Sequence, residues 1–133
     1  MTESVWGDPD QVLARVEDQI REAQVHAKKA QDLEAQMRTI TGRATSPDRV
    51  VTAAVSASGL VTELTLKDTA LEQHERDLAR TVQETINAAH RSVGEQAVAL
   101  SAEAFGENSG VTQRLRDEAA QREQDPNAPG IEY

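Results

Sequence analysis

Apolar positions along the chain change period twice. Leu13, Val16, Ile20, Ala23, Ala27, Ala30, Leu33, Met37 and Ile40 recur every three or four residues, which draws a single stripe along one long helix. Two consecutive three-residue steps, Ala27 to Ala30 to Leu33, put one stammer in an otherwise coiled-coil-like seam. Asp8, Pro9 and Asp10 give this helix its start near residue 9, with a side-chain cap, a proline in the first turn and negative charge against the dipole. About 30 helical residues run roughly 45 Å, and a compact chain of this size is on the order of 35 Å across. The helix is therefore expected to project or to lie along a partner.

Past Thr39 the period becomes two. Val51, Ala53, Val55 and Ala57 alternate with small or polar residues, and Leu60, Thr62, Leu64 and Leu66 do the same after Ser58-Gly59. A two-residue turn at Ser58-Gly59 sets Ala57 against Leu60, Val55 against Thr62, Ala53 against Leu64 and Val51 against Leu66, with both apolar sets on one face. Thr39 to Ala44 supplies a third, shorter strand before the Ser46-Pro47-Asp48 turn. Thr69 and Glu72 read as a capping box. A second long helix follows, its stripe running through Leu78, Val82, Ile86, Ala89, Val93, Ala97, Leu100 and Ala104 in an eleven-residue repeat. The predicted fold is α+β, ordered αβββα: two long helices flanking a small three-stranded antiparallel sheet over residues 1–105. After Phe105 the GENSG stretch breaks the helix and residues 106–133 read as an acidic polar tail, with Val111, Leu115 and Ala119 marking short helical turns. The two stripes exceed what so small a sheet can cover, so part of them calls for another helix.

Composition sharpens that need. The 133 residues include 20 alanines but one Trp, one Tyr and one Phe, and alanine gains little from burial. A second chain is the natural remedy, so a homodimer is expected. The chain has 23 acidic and 14 basic residues, a formal charge of -9, which opposes any binding mode that relies on net positive charge. The tail holds six acids and three bases, so it accounts for -3 and residues 1–105 still carry -6. With no cysteine there is no disulfide framework or thiolate chemistry. No apolar run has the roughly 18 residues of a membrane span, and MTESVWGDPD lacks the build of a secretory signal, so a cytoplasmic location is expected. His26, His74 and His90 lie apart without metal-ligand spacing. With no glycine-rich phosphate loop and no nucleophile elbow either, the sequence predicts no metal, cofactor or catalysis. Trp6, or Val5, is expected to fold over Val12 or Leu13 as a hydrophobic staple.

The order of elements, the ITGRA exit from the first helix, the VVTAAVSASGLVTELTL hairpin with Gly59 in its turn, and LARTVQETINAAHRSV in the second helix together resemble the YbaB/EbfC family of bacterial nucleoid-associated proteins. The resemblance covers residues 10–105. It implies a homodimer in which the sheets meet and the long helices project as tweezer-like arms, with nucleoid localisation and weak DNA binding of low sequence specificity. Where family members usually have a glycine-rich stretch between the first two strands, this chain has Thr45-Ser46-Pro47-Asp48.

Phosphate binding needs Arg and Lys, and the candidates are Arg21, Lys28, Lys29, Arg38, Arg43 and Arg49. Glu17 with Arg21 and Lys28 with Asp32 stand four apart, as on a solvated, salt-bridged helix face. Arg38, Arg43 and Arg49 gather around the short strand with only Asp48 near. The competing reading is a dimeric adaptor or chaperone that engages protein partners through its helical arms and acidic tail.

Overall fold

The computed structural model describes residues 8–124, which leaves Val5 and Trp6, and with them the staple, outside the described residues. Its elements are α1 (Pro9–Arg38), β1 (Thr41–Thr45), β2 (Val51–Ser56), β3 (Val61–Leu66), α2 (Glu75–Phe105) and α3 (Gly110–Gln124). The three strands form one antiparallel sheet in the order β1-β2-β3, so the α+β, helix–sheet–helix arrangement read from the sequence is the one observed. The chain divides into two compact units, the first ending at Glu34 and the second beginning at Ala35.

In the first unit, α1 opens as the sequence indicates. Pro9 sits in the first turn, and the Asp10 N–H donates to Asp8 Oδ1 at 3.0 Å. Every residue from Asp8 to Asp32 is exposed, and Leu33 is the buried residue of this helix.

The second unit is built on the contact of α2 with β1 and β2. Val51, Ala53 and Val55 of β2 are fully buried; Leu78 and Val82 of α2 pack at one end with Val50, Val51 and Ala70, and Ile86, Ala89 and Val93 at the other with Ala44, Ala53 and Val55. The predicted stripe of the second helix thus faces the sheet over its first half. The layers come very close: a Cβ on Gly42 would stand 2.0 Å from the Ala89 carbonyl oxygen and 2.7 Å from a Val93 methyl. Only glycine permits that approach.

The hairpin corrects the expected turn. Its loop has three residues, Ala57-Ser58-Gly59, closed by Ser56 N–H to Leu60 O at 2.8 Å and Gly59 N–H to Ser56 O at 2.9 Å, with Gly59 at φ 92°. A left-handed third position is the usual geometry of a three-residue loop. Val55 therefore faces Val61 rather than Thr62, and the register is restored by a bulge at Ala54/Val55, where the Thr62 hydroxyl donates to Ala54 O at 3.3 Å. Beyond the bulge, Ala53 pairs with Leu64 and Val51 with Leu66, as expected. The capping box is also corrected: Asp68–Glu72 forms a 3-10 turn without a side-chain cap, and α2 starts at Glu75, capped by His74, whose ring nitrogen accepts from Arg76 N–H. Burial of Ala70 beneath the sheet holds the segment in that tighter turn.

α2 ends at Phe105 on Gly106, φ 92°. α3 packs back on α2, with Ala119 beside Gly94. Ser101 and Thr112, both fully buried, share a hydrogen bond at 2.8 Å; the Thr112 hydroxyl also donates to Gly106 O and accepts from Ser109. His90, part-buried on α2 near Arg122, has its pKa lowered by burial and by that cation.

Gly42→Ala is expected to cost about 3 kcal/mol or more, the upper range for overpacking, because backbone rather than a flexible side chain lies in the way. Chemical denaturation followed by circular dichroism, with Gly59→Ala measured beside it, checks this.

Candidate nucleic-acid interface

The six candidate cations differ in how far they are already engaged. On α1, Arg21 pairs with Asp18 at 3.3 Å, three residues back, and not with Glu17; Lys28 pairs with Asp32 at 3.6 Å as expected. Both pairs are well exposed, so each holds its geometry weakly. Lys29 makes no ion pair among the described residues, and Arg38 is already engaged in an interaction.

Arg43 is the clearest departure from the expectation that only Asp48 is near. The register sets Arg43, Ala54 and Glu63 side by side across the three strands, and Arg43 Nη2 reaches Glu63 Oε2 at 2.9 Å. The ion pair crosses over Ala54, which is 1% exposed although it lies on the face away from α2. Arg43 thus acts as a tie across the polar face of the sheet. Thr45 and Thr52, whose hydroxyls meet at 3.3 Å, continue that face.

Arg49 stands differently. The turn after β1 is closed by Arg49 N–H to Ser46 O at 2.9 Å, with proline at its second position. Ser46 is nearly buried; its hydroxyl donates to Asp48 Oδ1 at 2.6 Å and accepts from Val51 N–H at 3.0 Å. Gln73 Nε2 donates to Asp48 Oδ2 at 2.8 Å and ties the turn to the approach to α2. These bonds fix the turn so firmly that Arg49 takes φ 64°, the left-handed region, as the one non-glycine residue to do so among those described. Such a position costs an L-residue about 1–2 kcal/mol. Its side chain is exposed and forms no ion pair among the described residues.

Across an open groove of about 470 Å³ from this turn, α2 presents Thr81, Glu84 and Arg91. Sequence reasoning passed over Arg91, an exposed cation, because it lies off the apolar stripe; its spacing from Thr81 and Glu84 on one helix flank is the signal that could have found it. Among the described residues no group of three or more His, Asp or Glu side chains is placed to hold a metal, and no helix is long and apolar enough to cross a membrane.

Two outcomes follow from the turn. Arg49→Gly is expected to raise stability by about 0.5 kcal/mol, since relief of left-handed strain outweighs about 0.5–1 kcal/mol of added unfolded-chain entropy; Arg49→Ala, which keeps the strain, gives no gain in the same denaturation assay. Asp48 has its pKa lowered below 3.8, chiefly by the Ser46 hydroxyl and then by Gln73. Its folded-state pKa is depressed, so its contribution is present above pH 3.8 and is lost as pH falls through the folded value. Asp48→Asn should therefore flatten the acid limb of the stability curve below pH 3.8 and leave its shape near neutrality unchanged.

No curated protein matches the chain at a significant level. A family model does match, over residues 13–108, which takes in most of α1, the sheet and α2, and by that match the chain belongs to the YbaB/EbfC DNA-binding family.

Proposed function

We propose that this protein is a homodimer that binds DNA weakly and with low sequence specificity, mainly through phosphates, as a nucleoid-associated factor of the cytoplasm. The observation that carries the reading is the family match over residues 13–108. The cations left free support it and rank the contacts. Lys29 on α1, and Arg49 with Arg91 about the first turn of the sheet, are exposed and make no ion pair among the described residues, so they meet a phosphate without first giving up a carboxylate seen there. Arg21, Lys28 and Arg43 would have to exchange one, and Arg38 contributes after them. Weak affinity agrees with the net charge of -9.

The dimer is supported by the sheet edge. α2 packs chiefly on β1 and β2, and Val61, Leu64 and Leu66 of β3 are 44%, 45% and 39% exposed. An edge strand with uncovered apolar side chains is a surface that asks for cover, and a second copy, edge to edge, supplies it.

Fluorescence anisotropy against a short duplex, run with light scattering, tests the reading. A dimer that binds at low salt, with affinity falling steeply on a log–log plot, supports it, and Lys29→Ala with Arg49→Ala should lower the slope by roughly one per lost phosphate contact. A dimer that retains no duplex even at low salt overturns it in favour of a protein-binding adaptor. Leu64→Glu with Leu66→Glu should convert the dimer to monomer.

A further inference from the structure

The sheet has two edges, and they differ. β3 carries the apolar side chains assigned above to a second copy, whereas β1 offers backbone. Ser46 N–H donates to Val51 O, and with the strand register this turns the backbone groups of Gly42 and Ala44 toward β2 and those of Thr41, Arg43 and Thr45 outward. Gln96 Nε2 covers one of these, the Thr41 carbonyl, at 3.0 Å. The N–H and C=O of Arg43 and of Thr45 meet no partner among the described residues, and both residues are exposed. We propose that this edge takes up an extended peptide as a fourth, antiparallel strand, with an acidic residue at the end beside the turn that follows β1 and an aliphatic residue six positions later.

Nothing in β1 guards it against such pairing. Exposed edges are ordinarily protected by a charge held over them, a proline or a bulge. β1 has no proline and pairs with β2 without a bulge, and its one charge, Arg43, is drawn inward over Ala54 to Glu63. The strand is also fixed in place, because Gly42 rests on the Ala89 backbone, so an incoming peptide does not have to order it. Two hydrogen bonds at Arg43 and two at Thr45 then supply affinity that is blind to sequence.

Preference comes from the flank of α2 beside the edge. In an antiparallel fourth strand the residues opposite Ser46, Ala44, Gly42 and Ile40 turn to the α2 side. At the turn end Arg91 lines the groove of about 470 Å³, and Arg49 stands on the turn. Of the carboxylates there, Asp48 is already held by Ser46 and Gln73, which leaves Glu84 against two cations. That end suits an acidic side chain. At the far end a second cavity, of about 420 Å³, is lined by Ile40, Ala99 and Leu100 together with Glu103, and it suits an aliphatic side chain followed by a cation. The two ends lie roughly 20 Å apart, six residues of extended chain. Between them the close approach of β1 to α2 at Gly42 leaves room for small side chains.

The probe is a fluorescein-labelled octapeptide, Glu-Thr-Ala-Thr-Ala-Thr-Leu-Lys, titrated with the full-length protein and followed by anisotropy. With its glutamate opposite Ser46 and its leucine opposite Ile40, the amides of its first two threonines point at Thr45 and Arg43, and those of its alanines point to solvent. Saturable binding is expected. N-methylation of those two threonines removes two hydrogen bonds and should weaken binding by about tenfold or more, while N-methylation of the two alanines leaves it nearly unchanged. Arg91→Glu should weaken it several-fold, and the peptide of reversed sequence should bind less well than the original. Absence of saturable binding to the unaltered protein overturns the proposal, and so does an equal loss from both methylation patterns, because a peptide held by its side chains alone does not distinguish them. Unchanged binding by Arg91→Glu, or equal binding of the reversed peptide, overturns the assigned direction and with it the proposed partner. Because the probe carries no phosphate and the edge is not β3, failure here leaves the DNA and dimer readings untouched.

Discussion

The direct seating of β1 on the backbone of α2 is the constraint on which the rest of the second unit depends. Where a Cβ on Gly42 would stand 2.0 Å from the Ala89 carbonyl, the sheet and the helix meet without side chains between them. That spacing is what lets Ala53, Ala70 and Ala89 be fully buried together with a few valines and still fill the interior at the density interiors require. A thin, small-residue core has a consequence for the larger side chains. Val51 and Val55 fit within it, while Leu60, Leu64, Leu66 and Leu71 are left on the surface.

What the sequence disclosed, and what it did not, follows from how local each determinant is. Alternation over Val51–Val55 and the three–four spacing of Leu78 through Val93 are fixed by which face is buried, and the pattern carries that information. The loop at Ala57-Ser58-Gly59 is one residue longer than the pattern predicts because Ser58-Gly59 satisfies the two-residue rule locally. The competing term was the bulge at Thr62, which absorbs the extra residue and restores Ala53 to Leu64. The Thr69–Glu72 spacing satisfied a capping box in the same local sense, but Ala70 is drawn beneath the sheet beside Val50 and Val51. Its burial outweighs the cap, and α2 begins after it.

The candidate interface was less legible, because the state of a cation depends on its tertiary neighbours. Nothing within a few residues of Arg43 announces Glu63, which is brought to it by the pairing of both strands with β2. The i,i+4 rule found Lys28 with Asp32 but placed Arg21 with Glu17, where the rotamer that reaches Asp18 is the one adopted. Arg49 could be named from sequence but not distinguished. Its conformation is set by the Ser46–Asp48–Gln73 bonds, the last of which joins residues 25 apart in the chain.

The closure of the α2–α3 corner shows how polar groups can do what this composition denies to apolar ones. Among its described residues α3 turns only Thr112, Leu115 and Ala119 inward, too little apolar area to fix the helix by burial alone. The fixing falls to hydroxyls: Ser101 and Ser109 both meet Thr112, and Thr112 donates to the Gly106 carbonyl at 2.9 Å, one of the groups that the end of α2 leaves without a helical partner. Buried hydroxyls cost stability when unpaired, and among the described residues none is left so. Because every partner has to be in place at once, such a latch favours one register of α3 on α2 over its neighbours, which a contact of alanine on glycine at Ala119 and Gly94 could not do by shape alone.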